Sequence, residues 1–223
     1  PAFRSISEIN VCPSTECNLK CAYCNLWHER KALSAPVIRR LITDARGLGA
    51  NILNILGGEP TLFPRLSAAM IRQAVGAGYE RVTLSTNGLE LTPEIAELWR
   101  DSGLDTIQVS LDRLLGAGKS FESAREAVHV CCSLYSEVIV SYVYYGQHSE
   151  EHLVPLAERL KDYAVTLDLK VAIPFEGEPA PVAPRQIRAF AALARRVAAE
   201  YSFVIPPDFR DRTTVFCGAG TSH

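Results

Sequence analysis

The stretch CNLKCAYC, residues 17–24, places three cysteines at C-x3-C-x2-C spacing just after a short apolar run. A structural zinc site or an electron-transfer iron–sulfur cluster takes four protein ligands, so three closely spaced thiols leave one metal position for a ligand that is not protein. Such an open position on a metal indicates catalysis rather than a purely structural or electron-transfer role. Two other interpretations remain: a zinc knuckle with His28 as its fourth ligand, or a loop whose thiols have unrelated roles.

Composition and charge narrow the class of protein. The 223 residues are 48% hydrophobic, which is enough for the core of one α/β domain. The formal net charge of −2, with scattered Lys and Arg, disfavours a nucleic-acid partner. No apolar run approaches the roughly 20 residues that span a bilayer, and the first residues lack a signal-peptide pattern, so we expect a cytoplasmic protein with no membrane partner. Seven cysteines, an odd number, fit a metal site in a reducing compartment better than disulfides.

Apolar runs alternate six times with segments of helical period, which predicts repeated βα units around a parallel sheet. The strand-like runs cover residues 8–12, 52–56, 81–85, 106–111, 138–144 and 166–173. Prolines at positions 36, 93 and 184 mark helix starts. Three helices are predicted to bury one apolar stripe each, formed by Val37, Leu41, Ala45 and Leu48, by Leu153, Leu156, Ala157 and Leu160, and by Ile187, Phe190, Ala191, Ala194 and Val197.

Short polar motifs follow three of the predicted strands, and ligands of α/β proteins collect at the carboxyl ends of strands. The motifs are Gly57-Gly58-Glu59-Pro60, Ser85-Thr86-Asn87-Gly88 and Ser110-Leu111-Asp112. Glycines let a backbone approach a ligand, and a carboxylate accepts hydrogen bonds from an ammonium. Ser110 and Asp112 share one face of their strand and could bind ribose hydroxyls. Each motif taken alone is more typical of a turn or a helix cap.

Together these motifs resemble the radical S-adenosylmethionine (SAM) enzymes. The resemblance implies a partial (β/α)6 TIM-like barrel, with residues 1–204 as its core. It implies that Cys17, Cys21 and Cys24 hold three irons of a [4Fe-4S] cluster, while the amino and carboxylate groups of SAM chelate the fourth. The residues that it assigns to SAM are Tyr23 (beside the adenine), Gly57, Gly58, Glu59, Pro60, Thr86, Asn87, Ser110, Asp112 and Arg125 (toward the methionine carboxylate). Arg113 replaces the glycine that usually follows SLD, and Arg125 also fits a solvated helix surface.

The remaining cysteines and histidines receive separate interpretations. Cys12, Cys131 and Cys132 are predicted to be small core residues. The histidines His129, His148 and His152 are predicted to face solvent. Cys217, in Phe216-Cys217-Gly218, resembles the opening of the SPASM or twitch extension, so residues 205–223 are interpreted as a connector and the start of an auxiliary-cluster module. The alternative is an unremarkable thiol in a glycine-rich tail.

The function implied by the resemblance is reductive cleavage of SAM to a 5′-deoxyadenosyl radical, which abstracts hydrogen from a substrate. The expected partners are a peptide or small-molecule substrate and an electron donor such as flavodoxin or ferredoxin. We favour an enzyme with an auxiliary cluster that oxidises or cross-links its substrate. A single-cluster enzyme that rearranges a substrate or activates a glycyl-radical partner is the second interpretation. A protein that only relays electrons is the third, and it would leave the GGEP and SLD motifs without a purpose.

Overall fold

The computed structural model of the protein describes residues 6–21, 23–28, 30–111, 121–146, 149–172 and 182–207. Within these ranges one parallel sheet contains seven strands in sequence order, with a helix after each of the first six. The strands are β1 (Glu8–Val11), β2 (Ile52–Ile55), β3 (Arg81–Thr86), β4 (Thr106–Ser110), β5 (Glu137–Tyr144), β6 (Thr166–Val171) and β7 (Val204–Ile205). The helices are α1 (Ala35–Gly47), α2 (Pro64–Gly76), α3 (Pro93–Asp101), α4 (Phe121–Leu134), α5 (Ser149–Leu160) and α6 (Pro184–Glu200).

The sheet is a partial barrel. Each strand pairs in parallel with the next, for example Leu53 with Val82 and Leu84 with Ile107. In the described ranges β1 and β7 are its two edges, so the sheet does not close. The predicted α/β class and partial barrel are therefore confirmed. No helix in these ranges is both long and apolar enough to cross a bilayer.

The seventh strand was not predicted from the sequence. Residues 205–207 were interpreted as part of a connector, yet Val204 and Ile205 pair with Leu167 and Asp168 of β6. Two residues are too few for an alternating pattern to be recognised. The prolines that follow, at positions 206 and 207, have no N–H to donate and are tolerated beside an edge strand.

The buried stripe of α1 differs from the prediction. Ile38 and Ile42 face the sheet, whereas Val37, Leu41 and Leu48 are 45%, 38% and 59% exposed. Both rows have helical spacing, and Ala45 lies where they meet, so periodicity alone could not choose between them. The predicted stripes of α5 and α6 are confirmed, since their residues are buried apart from the half-buried Ile187.

The two faces of the strands differ in polarity. Residues that point toward the helices are apolar and fully buried, as in Leu53, Ile55, Val82 and Leu84. Alternate residues point to the concave side, which we call the lumen. They are largely polar, and most of them are half-buried or exposed. Parallel strands that are covered on both faces are usually apolar throughout. The alternation therefore indicates that the lumen side of the sheet is not packed as an apolar core.

Candidate functional site

The three cysteines lie in a loop after β1 whose two ends are hydrogen-bonded together. The Thr15 N–H donates to the Lys31 carbonyl at 2.9 Å, and the Leu33 N–H donates to the Pro13 carbonyl at 2.9 Å. The Lys31 N–H also donates to the Thr15 hydroxyl at 2.8 Å. Residues 13–33, the cysteine loop, are thus closed at the base. This closure holds the loop at the carboxyl end of β1.

The thiols of Cys17, Cys21 and Cys24 are half-buried, and no cysteine in the described ranges forms a disulfide. The Cys24 N–H donates to the Cys21 carbonyl at 3.1 Å, which makes a tight turn between them. The Leu19 N–H donates to the Cys17 sulfur at 3.4 Å. Burial raises the pKa values of the Cys17 and Cys24 thiols, because a thiolate is poorly solvated there.

The two glycines after β2 allow close contact with the cysteine loop. The Gly58 N–H donates to the Ser14 carbonyl at 2.8 Å, and the Glu59 N–H donates to the Glu16 carbonyl at 2.7 Å. A Cβ atom at Gly58 would lie 2.0 Å from the Glu16 oxygen. A Cβ atom at Gly57, whose φ is +133°, would lie 2.3 Å from the Cys12 sulfur. The absent side chains therefore let two segments of protein meet, in addition to any approach by a ligand.

The Glu59 carboxylate joins the loops after β2 and β3. It is 3% exposed and lies just before Pro60, which is also buried. Its Oε1 atom accepts hydrogen bonds from the Thr61 N–H at 3.0 Å, the Thr61 hydroxyl at 2.8 Å and the Thr86 hydroxyl at 2.6 Å. Its Oε2 atom accepts from the Asn87 N–H at 2.8 Å. Of the two oxygens, Oε2 has the greater capacity for a further donor such as an ammonium.

The loop after β3 reaches the cysteine loop through Asn87. Its Nδ2 atom donates to the Asn18 Oδ1 atom at 2.7 Å and lies 4.0 Å from the Cys17 sulfur. Gly88, with φ of +75°, leaves room for α4, since its Cβ atom would lie 2.8 Å from that of Ala127. The predicted residues that follow β1, β2 and β3 are thus joined at one edge of the sheet, the edge formed by the carboxyl ends of its strands.

Tyr23 and Ser110 are the predicted residues that connect this edge to the later strands. The Tyr23 ring packs on Tyr145, the residue that follows β5, with 5.3 Å between ring centroids and a 45° tilt. Ser110 ends β4 and is half-buried, in register with Ser141 of β5. Tyr145 was not identified from the sequence. Its spacing in the sequence could have identified it, because Ser141, Val143 and Tyr145 are two residues apart and so point to the same side of the sheet.

The remaining predicted site residues are Arg125, Asp112 and Cys217. Arg125 lies on α4 with an exposed side chain. Asp112 and Cys217 lie outside the residues that the structure describes.

The lumen below the loops contains polar residues that the sequence analysis missed. The Asn54 amide donates to the Asn10 side chain at 2.9 Å. The Gln108 amide donates to the Ser85 hydroxyl at 3.1 Å and accepts from the Lys170 ammonium at 3.2 Å. Since β5 lies between β4 and β6, the contact of Lys170 with Gln108 crosses the concave face. The polar residues at alternate strand positions were the signal that could have identified them.

Lys170 is also paired with a carboxylate. Its ammonium lies 3.2 Å from Asp168, and the two side chains are only 18% and 31% exposed. Because the two charges are opposite, this partly buried pair adds little net charge to the described lumen.

The other cysteines and histidines agree with their predicted roles in part. Cys131 is buried, and burial raises its pKa to about 12. Cys12 and Cys132 are half-buried rather than fully buried. His129 is exposed, His152 is half-buried instead of solvent-facing, and His148 lies outside the described residues.

The cysteine loop fits a metal cluster by its donor chemistry. Burial raises the pKa values of the Cys17 and Cys24 thiols, and a bound metal cation would supply the charge compensation that a buried thiolate needs. In a [4Fe-4S] cluster each thiolate binds a different iron. Among the described residues, no three His, Cys, Asp or Glu side chains converge as ligands of a single metal ion.

Comparison with known proteins gives relatives in sequence and neighbours in fold. A GTP 3′,8-cyclase of Psychromonas ingrahamii is 40% identical over 119 residues, which are 50% of this chain and 34% of the relative. The GTP 3′,8-cyclase of Parasynechococcus marenigrum is 30% identical over 197 residues, 74% of this chain and 56% of the relative. The chain thus spans about a third to just over half of the length of these relatives.

Solved structures agree on the fold. Streptococcus suis SuiB bound to S-adenosylmethionine matches with a TM-score of 0.71 and 20% identity, over 89% of this chain and 47% of SuiB. HydG, a maturase of the [FeFe]-hydrogenase, matches with a TM-score of 0.70 and 15% identity, over 88% of this chain and 50% of HydG. Residues 11–160 match the Radical SAM superfamily. The chain therefore belongs to the radical SAM superfamily, whose members are enzymes that use a [4Fe-4S] cluster and SAM.

Proposed function

We propose that this chain forms the barrel of an enzyme that cleaves SAM reductively and abstracts hydrogen from a polar substrate, either a small metabolite or a peptide. The observation that carries the proposal is the hydrogen-bonded union of three loops at one edge of the sheet, directly above a polar lumen. The cysteine loop, the Gly57–Pro60 turn and the loop after β3 contact one another there. A cofactor held by these loops would lie against a substrate in the lumen.

The cofactors would be held by residues of these loops. Cys17, Cys21 and Cys24 would bind three irons and leave the fourth to SAM. The chemistry supplied by the bound cluster and SAM is a one-electron cleavage that yields a 5′-deoxyadenosyl radical. Backbone carbonyls of the glycine turn and the Oε2 atom of Glu59 would accept hydrogen bonds from the SAM ammonium. Tyr23 would lie beside the adenine, with Thr86, Ser110 and Asp112 near the ribose. Arg125 would reach toward the methionine carboxylate.

The lumen supports a substrate with many hydrogen-bonding groups. Asn10, Asn54, Ser85 and Gln108 offer amide and hydroxyl groups, which bind polar molecules without demanding a net charge. Lys170 would orient a carbonyl or carboxylate while Asp168 balances its charge. The closely packed outer face, by contrast, excludes water from the core of the barrel.

A second candidate is the cyclisation of a purine nucleotide. The GTP 3′,8-cyclases named above favour it, since one of them aligns over 74% of this chain. Such a substrate carries several negative charges, and Lys170 with its partner Asp168 would not balance them. Binding of such a substrate would therefore require further cations.

Three further elements of the proposal concern partners and place. An electron donor such as flavodoxin or ferredoxin would reduce the cluster, in a cytoplasmic setting. Cys217 would bind an auxiliary cluster of a SPASM or twitch extension. Iron analysis of the full-length protein tests this last element: after Cys17, Cys21 and Cys24 are changed to Ala, residual iron that falls again in Cys217→Ala supports it, and an iron-free protein contradicts it.

The main experiment measures SAM cleavage. The protein is reconstituted anaerobically with iron and sulfide, reduced with dithionite and supplied with SAM, and 5′-deoxyadenosine is quantified. We expect its release to depend on the reductant and to stop when the three cysteines are replaced by Ala. Adding GTP tests the second candidate, because a nucleotide substrate should raise the release and yield a cyclised product. A reconstituted protein that contains zinc but no iron would contradict the proposal.

A further inference from the structure

The side-chain amide of Asn87 has a fixed orientation in the loop after β3. Its Oδ1 atom accepts a hydrogen bond from the Leu89 N–H at 2.9 Å. A backbone N–H can only donate, so the oxygen must face Leu89 and the NH2 group must point the other way. That direction leads to the cysteine loop.

The NH2 group of Asn87 meets two atoms of the cysteine loop. Nδ2 donates to the Asn18 Oδ1 atom at 2.7 Å and lies 4.0 Å from the Cys17 sulfur. The amide of Asn18 is itself oriented, because its Nδ2 atom donates to the Glu90 carboxylate at 3.0 Å. Asn18 therefore presents an oxygen to Asn87. Both hydrogens of the Asn87 amide are directed at residues 17 and 18.

The backbone that carries this amide is held by Glu59. The Asn87 N–H donates to the Glu59 Oε2 atom, and the Thr86 hydroxyl donates to Oε1. The Gly88 N–H donates to the Thr86 hydroxyl at 3.0 Å. Asn87 itself is 9% exposed. Its amide is thus preorganised beside Cys17 before any cofactor binds.

Cys17 has a second N–H donor from its own loop, since the Leu19 N–H lies 3.4 Å from its sulfur. Hydrogen bonds to the sulfurs of an iron–sulfur cluster stabilise its more negative, reduced form and so raise its reduction potential. A thiolate carries more negative charge than a thiol, so iron binding strengthens the attraction between the sulfur and the Asn87 amide.

We propose that Asn87 is a positioning residue of the cluster: its amide donates an N–H···S hydrogen bond to the Cys17 thiolate and raises the reduction potential. This inference rests on the proposed function, in which Cys17 binds iron. It gives Asn87 a role toward the cluster, whereas the family resemblance assigned it to the SAM pocket.

The test is an anaerobic redox titration of the cluster, monitored by electron paramagnetic resonance in the absence of SAM. The variants are Asn87→Ala, which removes the donor, and Asn87→Asp, which replaces it with a negative charge at equal size. We expect a more negative midpoint potential in Asn87→Ala, by about tenfold in the reduction equilibrium or ~59 mV for one electron. The shift in Asn87→Asp should be larger, because a carboxylate repels the reduced cluster.

Asn51→Asp is the matched control. Asn51 precedes β2 at the opposite end of the strands, and its amide donates to Glu80 at 2.9 Å. The cluster of the Asn51→Asp variant should have the same midpoint potential as the cluster of the unchanged protein. Equal potentials in all four proteins would overturn the inference, as would loss of iron from both Asn87 variants, which would assign the amide a purely structural role. Absence of iron from the unchanged protein would instead refute the proposed function.

Discussion

The two faces of the parallel sheet differ in what they contribute. On the helix-facing side, residues such as Leu53, Leu84 and Val109 are fully buried among apolar neighbours. On the lumen side, Asn54, Ser85 and Gln108 lie at alternate positions of the same strands and hydrogen-bond to one another or to nearby polar groups. One face therefore supplies the free energy of folding, and the other supplies binding groups at little cost in stability. Substitutions on the two faces should have separable effects.

The largest expected effect is the loss of the cluster without loss of the fold. Replacing Cys17, Cys21 and Cys24 by Ala should abolish iron binding, because three half-buried thiols are removed from a loop outside the sheet. Thermal unfolding of the iron-free protein should change little. Iron content and circular dichroism measure the two quantities. Cys131→Ala and Cys132→Ala are controls that should retain iron, and loss of iron in either would contradict the assignment of ligands.

Substitution of Glu59 should affect both the stability of the protein and the binding of SAM. Glu59→Ala should leave the N–H groups of Thr61 and Asn87 without their acceptor, at about 1–3 kcal/mol each. We also expect weaker SAM binding, because the ammonium loses a charged partner. Chemical denaturation and calorimetric titration with SAM test the two effects. Unchanged SAM affinity in a destabilised variant would restrict Glu59 to joining the loops.

The exposed and buried rows of α1 allow a test on adjacent residues. Ile42→Ala should lower the free energy of unfolding by about 2–5 kcal/mol, because Ile42 is fully buried against the sheet. Leu41→Ala should change it by only about 0.5 kcal/mol, since Leu41 is 38% exposed. Urea denaturation of both variants provides the measurement. Equal destabilisation would mean that something covers the exposed row in the whole protein.

Gln108 and Val109, neighbours on β4, provide a direct test of the two faces of one strand. Val109→Ala should cost ~2 kcal/mol in unfolding free energy with SAM cleavage unchanged. Gln108→Ala should cost less than about 1 kcal/mol. It should, however, reduce the stimulation of 5′-deoxyadenosine release by substrate, because Lys170 and Ser85 lose a shared partner. The reverse pattern would refute a lumen-bound substrate.

The sequence predicted the fold class and the first six strands because hydrophobic runs and helix-start prolines report on local structure. It did not predict β7, whose two residues carry no pattern, or the buried row of α1, where two rows fit one period. The cysteines and the motifs after β2 and β3 could be placed at one edge from strand order alone. The tertiary hydrogen bonds of Glu59 and Asn87 could not, because their partners lie up to 70 residues away in sequence. The polar lumen could have been predicted from the polar residues at alternate strand positions. The strands were, however, assigned from their apolar residues.

The close approach at Gly58 has a consequence for how this sequence can diverge. A side chain at that position would meet the backbone of Glu16, and a backbone cannot be relieved by substituting another residue. A substitution at position 58 would therefore require a change in the backbone path of residues 14–16. That path also sets the position of Cys17. The turn after β2 and the cysteine loop should thus be inherited as a unit, so a chimera that exchanges only one of them between relatives should fail to assemble the edge.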